Sequence, residues 1–138
     1  MTRLLGLDPG TRRCGVAVSN RARSMAFPRA ALEHDEHLVA RIRQLVEDEE
    51  LGGIVVGRPL ALSGRVTEST QLADDLFHVI REAFPTLMVT QWDERLTTYE
   101  AQRALSEAGI KAKSQRDHLD SAAAVILLQN YLDGLVGD

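Results

Sequence analysis

Along the chain, apolar and polar positions divide into short runs typical of strands and longer segments with helical spacing. Leu4-Leu5-Gly6-Leu7 and Cys14-Gly15-Val16-Ala17-Val18 are apolar runs separated by Asp8-Pro9-Gly10-Thr11. The Pro-Gly pair is a turn signal, so the two runs are expected to pair as a β-hairpin. A weaker third strand is expected around Met25-Ala26-Phe27. Leu38, Ile42, Leu45 and Val46 then recur at the spacing of an amphipathic helix inside a highly charged segment. Gly53-Ile54-Val55-Val56-Gly57, a continuous apolar run bounded by glycines, has the pattern of a central parallel strand buried on both faces. After the loop Arg58-Pro59-Leu60-Ala61-Leu62-Ser63-Gly64, Leu72, Leu76, Val79 and Ile80 mark a second helix that Pro85 stops. Leu87-Met88-Val89-Thr90 marks the next strand. Thr97-Thr98-Tyr99-Glu100 has capping-box spacing and predicts a short helix through about Glu107, ended by Gly109. The last helix is expected to start near Asp117 and run through Ala122 to Leu132 inside the core.

This order predicts an α/β fold, a mixed β-sheet flanked by α-helices. Right-handed crossovers set the strands ending at Val56 and Thr90 parallel to the first, so their C-terminal ends share one edge with Asp8. Open α/β sheets bind ligands at that edge. A length of 138 residues suits one domain, 1–138, and neither a repeat nor a low-complexity tract interrupts it. Without a basic-then-apolar leader, and without an apolar run of the roughly 18 residues that span a bilayer, a soluble cytoplasmic protein with no membrane partner is expected. Cys14 is a lone cysteine, which excludes an internal disulfide and a CxxC metal spacing and fits a reducing compartment.

The formal charge of −4 argues against a protein that coats nucleic acid through bulk electrostatics, but the charge is uneven. Residues 1–30 carry Arg3, Arg12, Arg13, Arg21, Arg23 and Arg29 against Asp8 alone, whereas residues 31–50 carry seven acids against Arg41 and Arg43. Lys111, Lys113 and Arg116 form a second basic cluster. Arginine, which forks onto phosphate, supplies most of the cations, so a local phosphate-binding face competes with an ordinary solvated surface. His34 and His37 have a metal-like spacing, yet on a charged helix face they are expected to point to solvent.

Three carboxylates stand out, because the chain has no Gly-x-Ser-x-Gly elbow, Walker A loop or His-Glu-x-x-His motif. Asp8 stands at the end of the first strand, Glu94 follows the strand ending at Thr90, and Asp120 falls near the start of the last helix. Brought together they would repel, and a hard cation bound through their oxygens would remove that penalty. Two such ions can activate water, neutralise a phosphate and stabilise a leaving oxygen. Each acid also has an ordinary explanation: a turn for Asp8, a helix cap for Asp117 or Asp120, a salt bridge to Arg95 for Glu94.

Gly6-Leu7-Asp8-Pro9-Gly10-Thr11 with Gly15-Val16-Ala17-Val18-Ser19, Val55-Val56-Gly57-Arg58-Pro59-Leu60 with Ser63-Gly64, Asp93-Glu94-Arg95-Leu96-Thr97-Thr98, and Asp120 with Ala122-Ala123 and Ile126-Leu127-Leu128-Gln129 form four ordered motifs. Together they resemble the YqgF family of ribonuclease H-like nucleases, known as Holliday junction resolvases or pre-16S ribosomal RNA nucleases, over almost the whole chain. The resemblance implies a metal-dependent nuclease with Mg²⁺ or Mn²⁺ held by Asp8, Glu94 and Asp120, and by Asp117 one helical turn earlier. It implies nucleic-acid contacts from Arg12, Arg13, Arg58, Arg95, Lys111 and Lys113. The implied role is 5′-end maturation of precursor 16S rRNA in ribosome biogenesis, with Holliday junction cleavage in DNA recombination and repair as the alternative, by a monomer or homodimer. A nucleotide-binding or non-catalytic RNA-binding module is the reading from a different class, since Asp-x-Gly-Thr turns also cradle phosphates in actin-like ATPases. Those proteins enclose the nucleotide between two such domains.

Overall fold

The computed structural model describes residues 1–96 and 121–136. The chain enters through β1 (Arg3–Pro9), β2 (Arg13–Ser19) and β3 (Ala26–Glu33), followed by α1 (Leu38–Asp48), β4 (Leu51–Arg58), α2 (Glu68–Ala83), β5 (Met88–Asp93) and a 3₁₀ turn at Glu94–Leu96. The last described helix is α3 (Ala122–Val136). The strands form one sheet in the order β3-β2-β1-β4-β5, with the first three antiparallel and β4 and β5 parallel to β1. The mixed sheet and the shared C-terminal edge are as expected. The short helix expected after Thr97 and the start of the last helix near Asp117 lie outside the described residues.

The hairpin turn falls later than the Pro-Gly signal predicts, because Pro9 still pairs with Cys14 in the ladder. Gly10 N donates to Arg13 O at 3.0 Å, which makes Pro9–Cys14 a non-hydrogen-bonded pair. The missing proline N–H therefore faces β4, whose pairing with β1 has already ended at Leu7–Val56. β3 runs through Glu33, well beyond the three residues expected, with a bulge between the Cys14–Leu32 and Val16–Arg29 pairs.

Helices cover both faces of the sheet. Leu5, Leu7, Val16, Val18, Ile54 and Val56 pack against Leu38 and Ile42 of α1 and Leu76 and Ile80 of α2. Leu4, Ala17 and Val55 pack on the other face against Ala124, Val125, Leu127, Leu128 and Leu132 of α3. Gly6 lets α3 press close on β1: a Cβ there would lie 2.9 Å from Leu128 Cβ. Thr67 caps α2 by exchanging hydrogen bonds with Thr70, whose hydroxyl also donates to Pro59 O and ties the loop after β4 to the helix. Among the described residues no helix is long and apolar enough to cross a membrane.

Candidate active site

Strand alternation decides which side of the sheet each residue at the C-terminal edge serves. On β1, Leu7 faces α1 and α2, so Asp8 turns toward α3. On β4, Val56 faces α1 and α2, so Gly57 turns toward α3 and Arg58 away from it. On β5, Trp92 stacks edge-on against Tyr131 of α3 with ring centroids 5.6 Å apart, so Asp93 points the other way. Glu94, opening the 3₁₀ turn, then lies over Gly57. A Cβ on Gly57 would come within 2.9 Å of both Glu94 Cδ and Leu127 Cδ2, so this glycine leaves the space that the Glu94 carboxyl occupies.

Asp8 and Glu94 hydrogen-bond through their carboxyl groups. Burial pushes the Asp8 carboxyl above its ordinary value, against the opposing effect of the bond from Glu94. Burial first, then the hydrogen bond and charge of Asp8, then the charge of Asp93 push Glu94 up to about 8. Held this close, the two carboxyls resist ionising together. Their oxygens form a hard donor pair suited to Mg²⁺ or Mn²⁺, which would take the place of a bound proton.

The acids and arginines on the opposite side are arranged differently. Arg58 forks onto Asp74 of α2 (Nε to Oδ1 2.9 Å, Nη2 to Oδ2 3.1 Å), and Gln91 Nε2 donates to the same carboxylate at 2.7 Å. Arg95 folds back on Asp93 (Nη2 to Oδ2 2.7 Å), and its Nη1 donates to Leu62 O in the loop after β4. The partner of Arg95 is thus Asp93 and not its neighbour Glu94. Hydrogen bonds from Arg58 and Arg95 hold Asp74 and Asp93, respectively, below the usual carboxylate range.

The basic N-terminal stretch splits between the two ends of the sheet. Arg3 and Arg29 converge on Glu49 at 3.2 and 2.7 Å, Arg21 pairs with Glu50, and Arg23 bonds the Thr2 carbonyl and hydroxyl, all away from Asp8. Arg12 and Arg13 sit exposed at the hairpin turn, on the Asp8 edge. His34 and His37 precede α1 instead of lying on its face. His34 is half-buried, with Nδ1 2.7 Å from Gly10 O and its backbone N donating to Arg12 O, so it clamps the turn that follows Asp8. Asp117, Asp120, Lys111 and Lys113 lie outside the described residues. Among the described residues no group of three His, Cys, Asp or Glu side chains forms a metal cluster. Asp8 and Glu94 are the two candidate ligands that the described structure brings together.

Ser121 was missed by sequence reasoning. It is fully buried; its Oγ accepts from Val16 N at 2.9 Å and donates to Arg29 O at 2.6 Å, filling the break that the β2–β3 bulge leaves in the ladder. The backbone immediately after Asp120 is thereby fixed to the sheet. A serine ahead of an apolar run reads as a helix cap, and only the bulge reveals its second partner. Gly57 had a legible signal, a glycine closing a buried strand at the ligand-binding edge.

The family described as RuvX, Holliday junction resolvase, matches residues 2–134. Proteins named pre-16S rRNA nuclease from Mycobacterium ulcerans and Corynebacterium jeikeium are 42% and 38% identical over 95% of this chain, covering 78% and 86% of their own lengths. One from Thermoanaerobacter pseudethanolicus is 37% identical over 95% of this chain and 96% of its own. Among solved structures, RuvC of T. thermophilus in complex with a Holliday junction substrate aligns with a TM-score of 0.65 at 15% identity, covering 99% of this chain and 97% of that one. The fowlpox virus Holliday junction resolvase aligns at 0.57 and 13% identity, covering 97% and 99%. At these identities the structures establish the fold, which is ribonuclease H-like as expected.

Proposed function

The chain belongs to the RuvX family of Holliday junction resolvases, and from that premise we propose that it is a metal-dependent nuclease acting at the Asp8–Glu94 edge in the 5′-end maturation of precursor 16S rRNA. The observation that carries this reading is the half-buried pair of hydrogen-bonded carboxyls at the C-terminal edge of β1 and β5, cradled over Gly57. The chain is a nuclease that hydrolyses phosphodiesters, in keeping with its family and with the names of relatives at 37–42% identity. The rRNA substrate follows those names; the Holliday junction substrate follows the family description.

Asp8 and Glu94 would hold the cation, with Asp120 as a third ligand and Asp117 as a fourth. Bound there, Mg²⁺ or Mn²⁺ supplies a water of lowered pKa and neutralises phosphate charge. The chain's own part is to fix the two carboxyls against α3, and to present Arg12 and Arg13, with Lys111 and Lys113, to phosphates on either side of the scissile bond. Arg58 and Arg95, held by Asp74 and Asp93 on the α1/α2 side of the sheet, brace the loop after β4. A cytoplasmic, single-domain chain suits this role, acting as a monomer on RNA or as a homodimer presenting two sites to a junction.

The test is cleavage of labelled precursor-rRNA leader, single-stranded DNA and a four-way junction, each with Mg²⁺, Mn²⁺ or EDTA. Metal-dependent cutting of the leader in preference to the junction is expected. Preferential cutting of the junction would give the DNA role, and no cutting of any substrate with either ion would overturn the nuclease reading.

A further inference from the structure

Of the four apolar positions that mark α2, Leu76 and Ile80 bury against the sheet, while Leu72 is half-buried and Val79 stays 48% exposed. These two do not join the core. With Val39 of α1 they wall a cleft of about 290 Å³ floored by Leu38 and Leu76. Its rim is acidic, formed by Asp35 and Glu36 at the entrance of α1 and by Asp75 of α2. Asp35 is paired with Arg41, but among the described residues Asp75 accepts only a neutral amide, that of Gln71, at 2.9 Å, and Glu36 lies 3.3 Å from His37. Of the other acids in residues 33–50 and α2, Glu49, Glu50 and Asp74 are paired with arginines, so the charge at the cleft is that of its own rim.

We propose that this cleft docks a lysine- or arginine-rich segment of a protein partner, which inserts aliphatic side chains between α1 and α2. Small-molecule sites run from roughly 300 to 1,000 Å³. A cleft at the bottom of that range suits side chains presented by a peptide helix, the familiar helix-in-groove mode. The rim selects the partner's charge, since it repels phosphates and attracts cations at the encounter stage. Nucleic acid is therefore the wrong occupant. The cleft lies on the α1/α2 side and the carboxyl pair on the α3 side, so partner and nucleic acid can be held together. His34 forms part of the rim and clamps Gly10 O, so the partner would touch the residue that braces the turn after Asp8.

The cleft can be tested whether or not the chain cuts nucleic acid. The full chain, labelled with ¹⁵N, is titrated with an amphipathic Lys/Leu peptide of about twelve residues, beside one with Glu for Lys and one with Ser for Leu. Saturable binding with Kd on the order of 10–100 μM is expected for the Lys/Leu peptide alone, with amide shifts centred on Val39, Leu72 and Val79. The exposed double variants Glu36→Lys/Asp75→Lys and Leu72→Ser/Val79→Ser, each with a cooperative melt, should weaken binding at least ~10-fold. Four results would overturn the proposal: no saturable binding, equal binding of the Glu/Leu peptide, affinity unchanged in both double variants, or the same residues shifted by a single-stranded RNA or by self-association.

Discussion

Two carboxyl pairs meet the same sheet edge and end in opposite states. On the α1/α2 side Asp74 and Asp93 are each forked by an arginine and held below the usual carboxylate range. On the α3 side Asp8 and Glu94 bond to one another and are pushed above it. The difference comes from period-two alternation acting on short sequences: Gly57-Arg58 and Asp93-Glu94 each send one residue to each side. Arginine is thereby used up bracing the loop and β5, while the α3 side is left with two acids over a glycine. The comparison teaches that acid content alone does not mark a site. In the proposed site, the acids that would matter are those whose pairing leaves a proton for a cation to displace.

Exchanging the roles of the two pairs gives the largest expected effect. Asp8→Asn or Glu94→Gln should lower metal-dependent cleavage at least ~100-fold, beyond the usual loss for groups that only support ligands, with circular dichroism unchanged. Asp74→Asn should instead cost about 1 kcal/mol of stability in urea unfolding, because the Arg58 pair is part-exposed and screened, and should keep cleavage within a few-fold. Equal loss of activity in Asp74→Asn would break the comparison. Next, Ser121→Ala leaves Val16 N and Arg29 O unsatisfied at the bulge, a destabilisation of about 1–3 kcal/mol. It should also raise the metal concentration for half-maximal cleavage roughly 10-fold, as expected of a residue that supports the ligand set.

Gly57→Ala presses on Glu94 Cδ and Leu127 Cδ2, both ends of side chains that can give way, so a smaller cost of about 1 kcal/mol is expected. Its signature is weaker metal binding with little change in secondary structure. The smallest effect concerns pH. Between the ordinary glutamate value of 4.5 and about 8, folded Glu94 keeps a proton that the unfolded chain has released. Stability in EDTA should therefore fall as pH rises through that window. Asp74 and Asp93 carry the opposite shift: their contribution is lost only on acidification through their lowered values, below the window. Melting temperatures from pH 5 to 8.5 should show the decline for the wild type and a flatter profile for Glu94→Gln, with Mg²⁺ restoring the wild type most at the alkaline end.

Much of this arrangement is legible in residue pattern. Leu4 to Leu7 and Gly53 to Gly57 specify the parallel pair, and the crossover rule places Asp8 and Glu94 on one edge. The last strand reads as ending at Thr90 because Gln91 and Asp93 are polar, yet it continues through Asp93: Gln91 is held by Asp74, Trp92 packs on Tyr131 and Asp93 holds Arg95. Asp74 and Tyr131 are distant in sequence, so no local pattern reports them. The arginine-rich N-terminus reads as one basic face for the same reason. Its division depends on Glu49 and Glu50 meeting Arg3, Arg29 and Arg21 at the far end of the sheet. Ser121 and His34 act through a bulge and a turn carbonyl, features of tertiary geometry that periodicity does not encode.

The central claim is that a cation displaces the proton held between Asp8 and Glu94. Calorimetric titration of Mn²⁺ at pH 7 in buffers of different ionisation enthalpy measures that exchange directly. Release of about one proton per binding event is predicted for the wild type, with both the binding and the release lost in Glu94→Gln. Mn²⁺ binding without proton release, or binding unchanged in Glu94→Gln, would contradict the account.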